Sequence, residues 1–175
     1  ILEAENKSNP SDTAKKNVTV TVEGNTNRYP ALFPAVKQPN PVPDVLPTIQ
    51  EWYGYEGSFT LTNDSKIIVN DRAGAGLSEA AREMQADIEE ICGRTLAIET
   101  GTSGSAGNIY LESLAKDTYG TGEEGYFLVN GENGIEIYST TKTGVLYGTV
   151  TVEQILYQDA SHTSVPKGVI RDYPL

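Results

Sequence analysis

The stretch Glu124–Tyr157, EGYFLVNGENGIEIYSTTKTGVLYGTVTVEQILY, limits the possible folds more than any other part of the chain. Two apolar runs, Gly125–Asn130 and Ile135–Thr140, flank the doubled Asn-Gly sequence Asn130-Gly131-Glu132-Asn133-Gly134. Asn-Gly enters positive φ at little cost, so these runs are predicted to form a hairpin. The segment Thr143–Tyr157 that follows is harder to read. Thr149-Val150-Thr151-Val152 favours a strand, because β-branched side chains lose freedom in a helix. Yet Val145, Leu146, Val150, Val152, Ile155 and Leu156 extend the apolar character over about twelve positions without a turn signal, which is long for a strand. The length decides for a helix, with Gly148 letting it approach the sheet.

The other segments supply partners for this hairpin and helix. Lys66–Asn70, Thr95–Glu99, Asn108–Glu112 and Val165–Tyr173 read as strands, and Glu51–Tyr55 and Gly57–Leu61 as two short strands around a turn. Leu77, Ala80, Ala81, Met84, Ile88 and Ile91 recur at three- and four-residue spacing. They make the apolar face of a helix, with Ser78 as a candidate N-cap and Gly93 at a left-handed C′ position. Ser113–Glu124 reads as an excursion loop. The expected fold is α+β: a mixed β-sheet of about five to seven strands with two α-helices packed on one face.

Residues 1–28 are a polar tail in which Val18, Val20 and Val22 alternate with threonines, the pattern of a strand from an upstream domain. Residues 29–46 are a proline-rich linker. Six of the nine prolines fall between Pro30 and Pro47, where they fix φ and remove backbone donors. Tyr29, Leu32, Phe33 and Val36 offer apolar side chains to hold this segment on a surface. The α+β domain is expected over residues 47–175. Ile1 in place of Met, with no basic-then-apolar leader, reads as an internal or processed start.

Composition excludes several functions. The formal net charge of −11 repels phosphate backbones and anionic lipids, so nucleic acid and membrane surfaces are not expected partners. No apolar run approaches the ~20 residues of a membrane span. Cys92, the only cysteine, rules out an internal disulfide and is expected as a small core residue. Histidine also occurs once, at His162. One His and one Cys do not make a zinc site, and no nucleophile elbow accompanies His162. GTSGSAG, residues 101–107, lacks the Gly-Lys-Ser/Thr ending of a phosphate loop. Asp87, Glu89 and Glu90 crowd one helix surface and read as a solvated face. Asn6, Asn17 and Asn63 stand in N-glycosylation patterns. No catalytic residue, cofactor or metal ligand is assigned. Two groups are candidate binding residues. Trp52, Tyr53 and Tyr55 offer ring faces for sugar stacking, and Arg171, Asp172 and Tyr173 have the character of a domain boundary.

Three pieces taken together suggest a family. LPTIQEWYGYEGSFTLTNDSKIIV, EEGYFLVNGENGIEIYSTTKTGVLYGTVTVEQIL and VPKGVIRDYP, over Leu46 to Pro174, resemble the N-terminal accessory domain of family 20 glycoside hydrolases, the β-N-acetylhexosaminidases. The resemblance implies the zincin-like α+β fold, which carries no zinc, followed by a (β/α)8 barrel on the same polypeptide. It also implies substrate-assisted cleavage of terminal N-acetylhexosamine in that barrel, family 20 being an exception to the two-carboxylate scheme. A barrel of ~250 residues does not fit in this chain, so the chain itself is expected to be inactive. An extracellular or cell-wall-associated bacterial enzyme is the implied parent. A carbohydrate-binding module is the alternative from a different class. A third reading changes the parent, because families 84, 67 and 89 carry related domains.

Overall fold

A computed structural model describes residues 36–174. The tail with Val18, Val20 and Val22, the residues Tyr29, Leu32 and Phe33, and the patterns at Asn6 and Asn17 lie outside the described residues.

Seven strands and two helices follow one another as β1 (Glu51–Thr60), β2 (Lys66–Asn70), α1 (Leu77–Cys92), β3 (Ala97–Thr100), β4 (Ile109–Ser113), β5 (Tyr126–Gly131), β6 (Gly134–Ser139), α2 (Lys142–Gln158) and β7 (Ser164–Asp172). They form one sheet in the order β1-β7-β5-β6-β4-β2-β3. The β3, β2, β4 and β6 strands pair parallel. The pairs β6/β5, β5/β7 and β7/β1 are antiparallel. Because β6 and β7 both flank β5, α2 is the crossover that carries the chain over β5 from one to the other. The sheet is mixed and both helices share one core on one face, as the sequence implies. Leu77, Met84 and Ile88 of α1 and Val145, Val152 and Leu156 of α2 pack with Ile67, Ile109, Ile137, Leu128 and Ile170.

Three local expectations change. First, the two strands expected around a turn near Tyr55 are one strand, β1. Both halves pair with β7, and a bulge between Gly54 and Ser58 takes up the extra residues. Asn40 fills that bulge. Its backbone N–H donates to the Tyr55 carbonyl, and its side-chain amide donates to the Gly57 and Lys167 carbonyls. Second, Ser78 does not cap α1. Asp71 does so across a loop, its carboxylate accepting from the N–H groups of Ala75, Gly76 and Leu77 and from the Ser113 hydroxyl. Third, the turn of the hairpin is tighter than its Asn-Gly doublets suggest. Gly131 pairs directly with Gly134. Asn130 is a buried strand residue whose amide donates to the Val165 and Pro166 carbonyls at 3.0 Å each.

Helix α2 has the extent that apolar length implies, and its β-branched residues are accommodated by hydrogen bonds to its own backbone. The Thr149 hydroxyl donates to the Leu146 carbonyl and that of Thr151 to the Tyr147 carbonyl, so neither polar group is stranded. The Tyr126 hydroxyl meets Thr151 at 2.7 Å. The Thr141 side chain caps the helix, accepting from the Gly144 N–H. Gly144 and Gly148 set its depth. A Cβ on Gly148 would lie 2.5 Å from Ile137, and one on Gly144 2.3 Å from the Gly125 carbonyl oxygen.

The excursion loop covers part of the opposite face of the sheet. Tyr119 stacks on Phe127 with ring centroids 3.8 Å apart, and Tyr138 tilts against both. Phe127 is thereby 1% exposed, although strand alternation would allow it a wet face.

Candidate functional site

Strand alternation divides the aromatic candidates. Trp52 pairs with Ile170 and packs toward the helix-side core, its indole N–H donating to the Asn40 carbonyl at 3.0 Å. Tyr53 pairs with Val169, and adjacent strand residues point to opposite faces. Tyr55 lies in the bulge, where its carbonyl binds Asn40. The three rings therefore do not form one stacking surface.

The candidates at the chain exit do come together, around an ion pair inside the domain. Arg171 binds Glu51 and donates to the Tyr119 and Gly120 carbonyls, so it anchors the excursion loop. The side chain is only 13% exposed. The Tyr173 hydroxyl donates to the same Glu51 carboxylate, and the Tyr173 ring lies 4.5 Å from the Arg171 guanidinium. Asp172 accepts from the Gln50 N–H. These bonds fix the direction in which the chain leaves the sheet. The exit borders a cleft of about 260 Å³ lined by Pro47, Gln50, Glu124, Tyr147, Tyr173 and Pro174 among others.

Tyr147 leads onto an apolar surface on the helix side. The exposed large apolar residues among those described are Val42, Leu46, Tyr147, Val150 and Tyr157. Three of them lie on α2, where positions 147, 150, 154 and 157 follow the spacing of a single helix face. The other two belong to a segment tied to that helix. Leu46 and the Gln154 side chain exchange two hydrogen bonds at 2.9 Å, and the Gln158 amide donates to the Asp44 carbonyl. Between them Val45 is buried, at 4% exposure. Thus Asn40–Leu46, the last part of the proline-rich segment, lies against the domain.

A groove of about 500 Å³ runs between the two helices, lined by Asp87, Glu90, Ile91, Val150, Glu153 and Tyr157 among others. Asp87 and Glu90 stand at its edge, whereas Glu89 faces solvent. Glu153 is 8% exposed, and burial, reinforced by the Asp87 charge, pushes its carboxyl up to about 8. It was not among the sequence candidates. Its only signal was an acid inside an otherwise apolar run. His162 borders the groove, its Nδ1 3.1 Å from the Leu156 carbonyl. Asp87, Glu153 and His162 all line this groove. Among the described residues no group of three His, Cys, Asp or Glu side chains is placed to hold a metal ion. No helix among them is long and apolar enough to cross a membrane.

The model of glycosyl hydrolase family 20, domain 2, matches residues 42–173, three-quarters of the chain and nearly all of its folded body. The chain belongs to glycosyl hydrolase family 20. The match starts at Val42, inside the segment that Gln154 and Gln158 hold. It favours family 20 over the related families as the parent. A lacto-N-biosidase of Bifidobacterium bifidum is 26% identical over 132 residues, which are 75% of this chain and 11% of that protein. Among solved structures, the family 20 β-N-acetylhexosaminidase of Streptomyces coelicolor A3(2) aligns with a TM-score of 0.58 at 23% identity, over 79% of this chain and 28% of its own. The chitobiase of Flavobacterium johnsoniae gives 0.59 at 23%, over 74% of this chain and 20% of its own. At these identities the two structures speak for the fold. The family 20 domain described here spans a small share of each of these enzymes.

Proposed function

We propose that this domain is the non-catalytic scaffold of a hexosaminidase-type glycosidase and packs against a catalytic barrel on the same polypeptide. The observation that carries this reading is the extent of the domain 2 match. It takes up residues 42–173, leaving no stretch long enough for a barrel of ~250 residues. The apolar stripe Tyr147, Val150 and Tyr157, with the chain exit beside Tyr147, supports α2 as the face that meets the barrel. In this reading Arg171, Asp172 and Tyr173 act on the interface indirectly, by setting the exit direction.

Cleavage of terminal N-acetylhexosamine then belongs to the barrel, with the substrate's own acetamido group as nucleophile. The protein works outside the cell or at the cell wall, a placement suggested by its bacterial relatives. Trp52, Tyr53 and Tyr55 do not share one stacking surface, so calorimetry with N-acetylglucosamine oligomers is expected to give a flat trace. The direct test is release of nitrophenol from nitrophenyl N-acetyl-β-glucosaminide. No release is expected from residues 1–175 alone; turnover by this chain would overturn the proposal.

A further inference from the structure

We infer that residues 40–46 form a strap that widens the docking face of α2, so that the catalytic domain of the same polypeptide packs on Val42 and Leu46 as well as on the helix. This rests on the scaffold function proposed above and adds a second element to it. Among the described residues, every exposed large apolar side chain lies on α2 or on the strap. Tyr147, Val150 and Tyr157 belong to the helix, and Val42 and Leu46 to the strap.

The strap is held at both ends. At one end the Asn40 N–H donates to the Tyr55 carbonyl, and the Asn40 carbonyl accepts from the Trp52 indole. At the other, the Leu46 N–H and carbonyl both bond the Gln154 side chain, and the Gln158 amide donates to the Asp44 carbonyl. Val45 turns inward and joins the core. Leu46 is left 78% exposed and Val42 53%. Pro41 and Pro43 fix φ, so the strap gives up little further freedom when a partner covers it.

The chemistry of the face selects the partner. Glu153 is the only charged residue between Lys142 and Asp159, and it is buried. Asp44 is the one charge on the strap. Gln154 already gives both polar atoms of its amide to Leu46, so covering it strands neither. A surface so poor in charge suits a lasting contact, and lasting interfaces are the more apolar ones. The chain path points to an attached domain as that contact. Pro47, where the strap ends, lines one cleft with Tyr147 and with Tyr173 and Pro174 of the chain exit. The chain therefore leaves β7 at the rim of this face, and a domain tethered there meets it at high effective concentration.

The test is the melting temperature of the polypeptide extended through its catalytic domain, and of residues 1–175 alone, each with and without Leu46→Asp. The extended protein should lose at least about 3 °C and residues 1–175 no more than about 1 °C. An unchanged extended protein, or equal losses in the two, would overturn the role of the strap. Val42→Asp, judged by the same pattern, decides the matter if Leu46→Asp does not fold. Tyr157→Asp in the extended protein separates this inference from the scaffold function. A drop with Tyr157→Asp and none with Leu46→Asp would leave the scaffold standing and refute the strap. If residues 1–175 sediment as a dimer that Leu46→Asp dissolves, the face belongs to a second copy and the inference is likewise overturned.

Discussion

Helices α1 and α2 lie side by side on one sheet but are held to it differently. Five of the sixteen residues of α1 are buried, and they repeat at the spacing of one helical face. Its outer side carries Glu79, Arg82, Glu83, Glu89 and Glu90, and large side chains such as Met84 and Ile88 fill the space beneath it. Nine of the seventeen residues of α2 are buried, including Gly144, Gly148, Thr149, Thr151 and Glu153. This helix reaches the sheet through glycines and adds an exposed apolar stripe on its other side. A helix with one wet face shows its period in its sequence. A helix enclosed on most sides, with a further apolar stripe, loses that period and then looks like a strand.

The contrast is broken most strongly at Gly148. Gly148→Ala raises helix propensity, yet the new Cβ would meet Ile137 and the Tyr126 ring. We expect a loss of about 2 kcal/mol, read from the urea midpoint, because overpacking outweighs propensity. The mirror change on the exposed side of α1, Ala86→Gly, should cost about 1 kcal/mol through propensity alone. If Gly148→Ala were stabilising, α2 would not be seated as described.

The two N-termini give a smaller test of the same contrast. Thr141 caps α2 in the ordinary local way, whereas the cap of α1 is supplied by Asp71, six residues before Leu77. Partial burial raises the Asp71 carboxyl, but the Ser113 hydroxyl and the N–H groups of Gly76, Leu77 and Ala75 outweigh it and hold the group below its ordinary value. Asp71→Ala should cost about 1 kcal/mol at neutral pH. A carboxyl lowered in the folded state stabilises above its unfolded value and loses that effect as pH falls. The native and Asp71→Ala midpoints should therefore converge in acid, below the ordinary carboxylate range.

Much of the fold was legible where the partners are close in sequence. The hairpin, the periodic face of α1 and the left-handed Gly93 are all local signals, and Gly93 caps the helix with φ 69°. The parts that were not legible depend on distant partners. Nothing near Pro41 and Pro43 indicates that Gln154 and Gln158 will bind Asp44 and Leu46 more than a hundred residues away. The bulge in β1 depends on Asn40, and its use of the Lys167 carbonyl spans 127 positions. At the candidate site, aromatic residue types pointed to sugar stacking, but strand alternation turns Trp52 and Tyr53 to opposite faces. Glu153 was missed because only a neighbouring helix makes its burial and its acidic surroundings visible.

On the proposed scaffold role, α2 serves two surfaces, its glycine side toward the sheet and its Tyr147–Val150–Tyr157 side toward a catalytic domain. Tyr157 is 69% exposed, so Tyr157→Asp should change the stability of the chain alone by no more than about 0.5 kcal/mol. The decisive measurement is the melting temperature of the polypeptide extended through its catalytic domain, with and without Tyr157→Asp. A clear drop in the extended protein, with none in residues 1–175, is the result we predict; an unchanged melting temperature in the extended protein would contradict the account.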